Sequence, residues 1–250
     1  MRQSIKFGEG ENSTSQENQI FISDNTLRHY HYLMFFDSRG LATDNNKIEN
    51  SYLYRFKRLL DIHNLSYLII SKPKNLTLFA TLYNFLLLNE NFTFNTLVTN
   101  IGYVDLTPKK QDYLDDALIQ IKQFSNTQNV IHQHEKYPLN NGNIEVLQSI
   151  EYQENYLIEL NSLLNKKFKK KYFINTPAIS KDIQIERSRP DSFFQQLHKT
   201  NELIFFMVNF SQTKNRLIDI HNITYTYDAV HYTDEGHKMI FDILQESIKL

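Results

Sequence analysis

The sequence predicts an α/β fold, a three-layer α/β/α sandwich with a mainly parallel central sheet. Strand-length apolar runs alternate with helix-length amphipathic segments along the chain, and this alternation is typical of a parallel sheet with helices on both faces. The first long run, residues 30–36, is apolar or aromatic throughout, as in a strand buried on both faces. The pair Asn141-Gly142 lies between a predicted loop and a predicted helix, so no β-hairpin is expected.

A domain boundary is predicted at residue 28. Residues 1–28 are polar and form an N-terminal arm, in which residues 19–22 are a candidate short strand. Residues 29–250 form a single α/β domain, since no linker, repeat or low-complexity segment interrupts them. Residues 1–19 lack the apolar stretch of a signal peptide, and no apolar run is long enough for a membrane span. The expected location is the cytoplasm.

In the first half of the domain each apolar run leads through a polar turn into a segment with helical spacing. Strands are predicted at residues 30–36, 67–70 and 96–101, and helices at residues 51–63 and 76–88. In the helix at 51–63 the apolar side chains, among them Leu53, Phe56 and Leu60, fall on one face.

The second half of the domain continues the alternation. Helices are predicted at 109–124, 144–167, 191–209 and 235–248, and strands at 171–177 and 216–220. Residues 129–132 are either a short strand or an extended loop. Asp234 is the expected N-cap of the last helix, because Asp commonly precedes the first helical turn.

The composition narrows the class of protein. The chain has 250 residues, of which 41% are hydrophobic and 22% charged, enough for one large globular domain. Its net charge is -1, whereas nucleic-acid-binding domains usually carry a clear basic excess. It has no cysteine, which excludes disulfides, thiolate metal sites and a cysteine nucleophile.

Several polar residues or glycines follow the predicted strands. In parallel α/β sheets the ligand site lies beyond the carboxyl ends of the strands. The residues expected at that one edge are Ser38, Ser71, Gly102, Asn175 and the turn that carries Asp228 and His231. The sequence therefore predicts a single site at this edge.

Ser38, Asp228 and His231 are the candidate catalytic residues. Ser38 follows the buried strand at a sharp turn that Gly40 closes. A serine hydroxyl becomes a nucleophile when a base lies within hydrogen-bond reach, and a histidine oriented by an aspartate is such a base. Asp228 and His231 are three positions apart just before a predicted helix, so a short turn can place both side chains together.

These residues resemble the motifs of the SGNH/GDSL hydrolase superfamily. Residues 36–38, Phe-Asp-Ser, resemble its first block, Gly-Asp-Ser, and residues 228–231 resemble its last block, Asp-x-x-His. Residues 102–105, Gly-Tyr-Val-Asp, resemble its third block, Gly-x-Asn-Asp. The resemblance extends from about residue 30 to residue 250. It implies a flavodoxin-like SGNH fold and a serine esterase or O-acyltransferase that acts through an acyl-enzyme, often on O-acetylated carbohydrates.

The sequence departs from these motifs where the oxyanion hole is formed. Phe36 replaces the first-block glycine, Val104 replaces the third-block asparagine, and the second-block glycine has no counterpart near Ser71. The Ser38 N–H is one expected oxyanion donor. The other candidates are the Gly102 N–H and the side chain of Asn100 or Asn75.

The resemblance and the residues together define the expected ligands. The substrate is a small-molecule or carbohydrate ester, with no metal and no cofactor except acetyl-CoA as donor if the protein is a transferase. Arg39, beside the nucleophile, pairs either with a substrate carboxylate or phosphate or with a structural partner. The acyl group, the acceptor and the oligomeric state are left open by the sequence.

Two alternatives compete with the enzyme. A binding protein for a carbohydrate or related ligand would keep the fold and lose the chemistry, and a Ser38–His231 separation above about 6 Å would favour it. A metal site could draw on His132, His134 and Glu135, although a solvated loop also explains this cluster.

Overall fold

A mixed six-stranded sheet forms the centre of the molecule. The computed structural model describes residues 5–6, 19–41, 47–71, 78–122, 130–138, 144–180, 182–183, 185–186, 189–209 and 214–250. The strands are β1 (Gln19–Ile22), β2 (His29–Phe36), β3 (Tyr67–Ser71), β4 (Thr93–Thr99), β5 (Val130–Pro138), β6 (Ile144–Glu151), β7 (Lys170–Ile174) and β8 (Lys214–Ile218). The helices are α1 (Tyr52–Ile62), α2 (Phe79–Leu88), α3 (Tyr103–Leu106), α4 (Gln111–Lys122), α5 (Glu154–Lys167), α6 (Asp191–Asn209) and α7 (Asp234–Ser247).

The order of strands in the main sheet is β1-β3-β2-β4-β7-β8. Strand β2 lies inside the sheet and pairs in parallel with both β3 and β4, so that Leu33 is opposite Leu68 on one side and Leu97 on the other. Strand β1 pairs with β3 in the antiparallel direction and forms one edge of the sheet. The short strand predicted at 19–22 is therefore part of the sheet.

Helices cover both faces of this sheet, which confirms the predicted α/β/α layering. On one face α1 and α7 pack over Phe36 through residues such as Phe56 and Leu244. On the other face α2, α5 and α6 pack over Phe35, with Phe85 among the contacts. The successive residues Phe35 and Phe36 point to opposite faces and both are fully buried, as the continuous apolar run of β2 predicts.

The prediction for residues 129–167 is wrong in part. Residues 144–151 form strand β6, which pairs with β5 in an antiparallel two-stranded sheet, and the helix begins only at Glu154. The three-residue spacing of Ile144, Leu147 and Ile150 favours a helix, but pairing with β5 overrides this local pattern. The expectation that no β-hairpin forms is also wrong, because β5 and β6 are consecutive antiparallel strands. The connection 139–143, which contains Asn141-Gly142, lies outside the described residues.

Two smaller predictions concern the start of α7 and the candidate metal ligands. Thr233, not Asp234, is the N-cap of α7, since its hydroxyl accepts the Gly236 N–H at 3.2 Å. The candidate metal ligands at 132, 134 and 135 lie on β5, and their side chains lie outside the described residues. Among the described residues no group of His, Asp or Glu side chains is arranged to hold a metal ion. None of the described helices is both long and apolar enough to cross a membrane.

Candidate active site

A short 3-10 turn presents Ser38 at the carboxyl end of β2. The turn spans Ser38–Gly40, and the Asp37 side chain caps it by accepting the Arg39 N–H at 2.9 Å. Gly40 lies so close to Phe36 that an added Cβ would be 2.8 Å from the ring atom Cδ1. The chain can therefore reverse sharply under the buried Phe36 ring, which leaves the Ser38 side chain half-buried at the edge of the sheet.

A second turn, before α7, carries Asp228 and His231. The carboxylate atom Oδ1 of Asp228 accepts the main-chain N–H groups of Val230 and His231 at 3.0 and 2.7 Å. Ala229 between them has a φ of 66°, in the left-handed region that non-glycine residues rarely adopt. This tight turn directs the Asp228 and His231 side chains toward each other.

The two turns meet across 193 positions of the chain. The Ser38 Oγ lies 3.2 Å from His231 Nε2, and His231 Nδ1 lies 3.0 Å from Asp228 Oδ2. Because a carboxylate can only accept, Nδ1 carries the proton and Nε2 is free of one in the neutral ring. The geometry thus places a proton acceptor against the serine hydroxyl, well inside the separation that would favour a binding protein.

The Asp228 carboxylate is held in its ionised form. Burial acts to raise its pKa, but the hydrogen bonds from the His231 side chain and main chain and the charge of Arg189 outweigh burial and lower the pKa to about 2. A carboxylate that remains charged can orient the imidazole and stabilise it when it takes up a proton.

The surroundings of Arg39 favour the structural alternative for this residue over the substrate contact. Its side chain is 2% exposed and forms an ion pair with Asp37 at 2.8 Å. Its guanidinium also lies 4.7 Å from the ring centre of Tyr103. Burial acts to lower the pKa of Arg39, but the adjacent Asp37 charge raises it. Because Arg39 follows the nucleophile directly, the sequence suggests that its side chain is exposed. The apolar and aromatic neighbours that bury it are distant in sequence.

The side chains of Asn100 and Ser71 also support the nucleophile turn, which favours a structural role for both over contact with the oxyanion or the substrate. The Asn100 amide accepts the Asp37 N–H at 2.9 Å and donates to Asp37 Oδ1 and to the Tyr52 hydroxyl at 3.0 Å each. The Ser71 hydroxyl is buried and donates to the Asp37 carbonyl at 3.4 Å. Asp37 is therefore the centre of a buried network that holds the main chain beside Ser38.

Gly102 remains at the predicted edge, directly before α3. Its φ of 119° is one that favours glycine, and an added Cβ would be 3.2 Å from Phe79 Cε2. Val104, which replaces the asparagine of the family motif, packs partly buried against apolar clusters that include Leu114 and Phe193. The other candidate donor, Asn75, lies outside the described residues.

Asn175 lies at the sheet edge but does not join the three catalytic candidates. Its side chain donates to Asp219 Oδ1 at 2.7 Å and accepts the Ile220 N–H at 2.7 Å. It therefore joins the segments that follow β7 and β8.

Sequence reasoning did not single out two residues of the site. Arg189 donates to Asp228 Oδ2 at 2.8 Å, and the Tyr227 ring stacks on His231 with 6.0 Å between ring centres and 19° between planes. Tyr227 has a signal in the sequence, because it directly precedes the Asp-x-x-His motif. Arg189 lies 39 positions from its partner and has no comparable signal.

Comparison with known proteins gives distant likenesses only. No family model matches the sequence, and no curated protein matches it. One similar structure is Est24, a carbohydrate acetylesterase from Sinorhizobium meliloti, with a TM-score of 0.46 and 10% identity over 88% of this chain and 98% of that chain. Another is Est2A, an acetyl xylan esterase from the rumen bacterium Butyrivibrio proteoclasticus, with a TM-score of 0.36 and 9% identity over 90% of this chain and 66% of that chain. We therefore infer function from the geometry of the site.

Proposed function

We propose that this protein is a serine-dependent acyl-ester hydrolase or O-acyltransferase of the SGNH/GDSL type. The observation that carries the proposal is the continuous hydrogen-bonded line from Ser38 through His231 to Asp228. A nucleophile, a base and a group that orients the base are the three parts that acyl transfer through a serine requires.

In the first half of the reaction the Ser38 Oγ attacks the carbonyl carbon of the ester, and its proton moves to His231 Nε2. The tetrahedral intermediate then collapses. The bond to the leaving alcohol breaks, the alcohol takes the proton from His231, and the acyl group stays on Ser38 as an ester. Asp228 stabilises the transient imidazolium without becoming protonated, which agrees with its lowered pKa.

In the second half an acceptor hydroxyl attacks the acyl-enzyme. It gives its proton to His231 Nε2, the acyl–Ser38 bond breaks, and the proton returns to the serine oxygen. Water as the acceptor makes the protein an esterase, and a sugar hydroxyl makes it a transferase. Acetyl-CoA is the corresponding acyl donor in the transferase case.

The negative charge of the tetrahedral intermediate needs hydrogen-bond donors. We assign this role to the main-chain N–H groups of Ser38 and Gly102, because Arg39 and Asn100 are engaged with Asp37. The side-chain donor that the family has at position 104 is replaced by valine. One such donor is commonly worth about 3 kcal/mol, or on the order of 100-fold in rate, so we expect a slow enzyme unless residues near Asn75 supply a substitute.

The proposed substrate class is an O-acyl ester of a carbohydrate, with acetyl as the acyl group. The resemblance to the superfamily supports this class. The half-buried Tyr227 ring beside His231 provides a flat apolar surface next to the base, as small-molecule sites commonly do.

The alternative of a non-catalytic binding protein is favoured by Val104 and by the missing second-block glycine. On that view the alignment of Ser38 with His231 has no use. The experiment below separates the two functions.

Hydrolysis of p-nitrophenyl acetate tests the proposal. We expect the wild type to release nitrophenol and the Ser38→Ala variant to lose essentially all of this activity, by a factor on the order of 10³ or more. Ser66→Ala is the matched control, since Ser66 precedes β3 at the opposite edge of the sheet, and its rate should equal that of the wild type.

Two outcomes would contradict the acyl-enzyme route. Equal rates for the wild type and Ser38→Ala would show that the serine does not act. A wild type that is inert with p-nitrophenyl acetate, and also inert when acetyl-CoA and sugars are present, would make the binding protein the better conclusion.

A further inference from the structure

We propose that Arg189 is a positioning residue for the reaction, which holds Asp228 in the orientation that faces His231. This inference rests on the proposed function. It adds a fourth residue to the line of three: in the described part of the chain the hydrogen bonds of Arg189 go to Asp228.

Arg189 forms two hydrogen bonds with Asp228. Its Nη2 donates to the carboxylate atom Oδ2 at 2.8 Å, and its Nε donates to the main-chain carbonyl of the same residue at 3.0 Å. The two side chains are 11% and 8% exposed, so this contact is well shielded from water and salt. A guanidinium fork can fix the side chain and the main chain of one residue together, whereas an ammonium group acts as a single point charge.

The chain around Arg189 is itself held in place. Pro190 follows it and restricts its backbone to extended conformations, and helix α6 then begins. The Arg189 guanidinium lies 4.8 Å from the ring centre of Phe193 in the first turn of that helix. Three residues upstream of Arg189, the Glu186 N–H donates to the Tyr227 carbonyl at 2.8 Å. The segment is thus attached to the Asp228 turn at two separate positions.

This attachment matters because the turn is conformationally strained. The φ of 66° at Ala229 persists only where neighbouring contacts fix the backbone on both sides. Within the described residues, the Asp228 oxygen that orients His231 is the same Oδ2 that Arg189 contacts. Without Arg189 we expect Asp228 to adopt other orientations, in which His231 Nδ1 loses its acceptor and Nε2 no longer faces Ser38.

The test measures kcat and KM for p-nitrophenyl acetate in full-length variants. Arg189→Ala should lower kcat about 10- to 100-fold, the range that corresponds to one hydrogen bond to a charged group. KM should change by less than about twofold, because Arg189 makes no contact with the reacting ester in the proposed reaction. The kcat of Arg189→Lys should lie between the values of the wild type and of Arg189→Ala. Lysine keeps the positive charge but lacks the planar guanidinium that makes both hydrogen bonds. Arg58→Ala, which removes an exposed arginine of α1, is the matched control and should equal the wild type.

Two further measurements separate positioning from general destabilisation. Guanidinium ion at a non-denaturing concentration should restore part of kcat in Arg189→Ala and none in Ser38→Ala. In proton NMR spectra of the full-length protein, the downfield resonance of the His231 Nδ1 proton should be present in the wild type and in Arg58→Ala and should be lost in Arg189→Ala.

These readouts keep the two proposals apart. A folded Arg189→Ala variant with unchanged kcat and an unchanged Nδ1 resonance overturns the role of Arg189 and leaves the proposed function intact. A wild type without esterase activity overturns the proposed function, and the Nδ1 resonance then decides alone whether Arg189 orders the turn. If Arg189→Ala does not fold, Arg189→Lys decides: a kcat and a resonance equal to the wild type refute the positioning role, and a partial loss of kcat with a weakened resonance supports it.

Discussion

Asp228 accepts four hydrogen bonds, two on each carboxylate oxygen, and this arrangement determines how the folded protein responds to acid. Its pKa is about 2 in the folded chain and 3.8 for an unperturbed aspartate. A group with a lowered pKa in the folded state stabilises the fold fully above its unfolded pKa. The stabilisation is then lost as the pH falls from about 4 to about 2.

We therefore predict that Asp228→Asn removes about 2 kcal/mol of pH-dependent stability. The asparagine keeps an oxygen for the main-chain N–H groups of Val230 and His231, so the variant should fold. In urea unfolding, the difference in free energy between wild type and variant should be largest near neutral pH and should shrink below about pH 4. If the two curves run parallel across this range, Asp228 is not ionised in the way described.

At the residue scale, the sequence was informative about chemistry and much less about burial. Ser38, Asp228 and His231 were identified because their types and local spacing match a known reaction, and the structure brings them together. The roles of Arg39 and Asn100 stayed open in the sequence because their hydrogen-bond partners, Asp37 and the Tyr52 hydroxyl, are brought near only by the tertiary fold. The role of a polar side chain near a site cannot be predicted until those neighbours are known.

At the scale of elements, helix α7 fixes the position of the loop that carries His231. Its first turn packs so closely on the preceding loop that a Cβ on Gly236 would collide with the Tyr225 carbonyl oxygen. That carbonyl already accepts the Thr233 N–H at 3.0 Å, so it cannot move aside freely. The helix is also joined to α1, where the Tyr52 N–H donates to His237 Nδ1 at 3.3 Å.

We predict that Gly236→Ala destabilises the protein by about 1–3 kcal/mol through overpacking. The melting temperature should fall by about 2–4 °C for each kcal/mol, and activity toward p-nitrophenyl acetate should fall with it, because the loop that carries His231 must shift. Gln245→Ala, at an exposed position of the same helix, is the control. An unchanged melting temperature and rate in Gly236→Ala would show that the loop tolerates the methyl group.

Elements were predictable where the sequence pattern had one interpretation. The apolar run of β2 has the length and the aromatic content of a buried strand, and the start of α6 follows from Pro190 and the polar Asp191. Strand β6 was misassigned because its apolar positions recur every third residue, which favours a helix. Its partner β5 is the preceding strand, and the Asn141-Gly142 pair between the two is the local hairpin signal that the helical interpretation of residues 144–151 discounts.

At the scale of the whole molecule, the N-terminal strand completes the sheet. Strand β1 covers the outer edge of β3, and Ile20, Ile22 and Leu27 pack against the core. An unpaired sheet edge is a common site of association between chains. These contacts lie within residues 1–28, the segment that the sequence predicts to be an arm outside the domain.

We predict that deletion of residues 1–28 lowers the free energy of unfolding by about 2–4 kcal/mol, the value of a few partly buried apolar side chains, and promotes self-association. A deletion of residues 1–18 keeps β1 and should be closer to the wild type. Urea unfolding and size-exclusion chromatography measure the two effects. If both truncated chains match the full-length protein, the boundary at residue 28 holds and β1 contributes nothing to the domain.

The layering of the whole molecule was predictable and the strand order was not. Alternation along the chain determines that helices cover a parallel sheet. It does not determine that β7 and β8 extend the sheet beyond β4, or that β5 and β6 form a sheet of their own. Those choices depend on which faces bury the most apolar surface once all elements are present.

The distance along the chain between Ser38 and His231 has a consequence for biosynthesis. At translation rates of 5–20 residues per second, the 193 positions between them take roughly 10 to 40 s to synthesise. During that time the nascent chain carries its serine without a base, and the strands that surround the serine can form before α7 exists. If Ser38 acts as proposed, its reactivity therefore begins only with the docking of α7, after the strands of the main sheet have been synthesised.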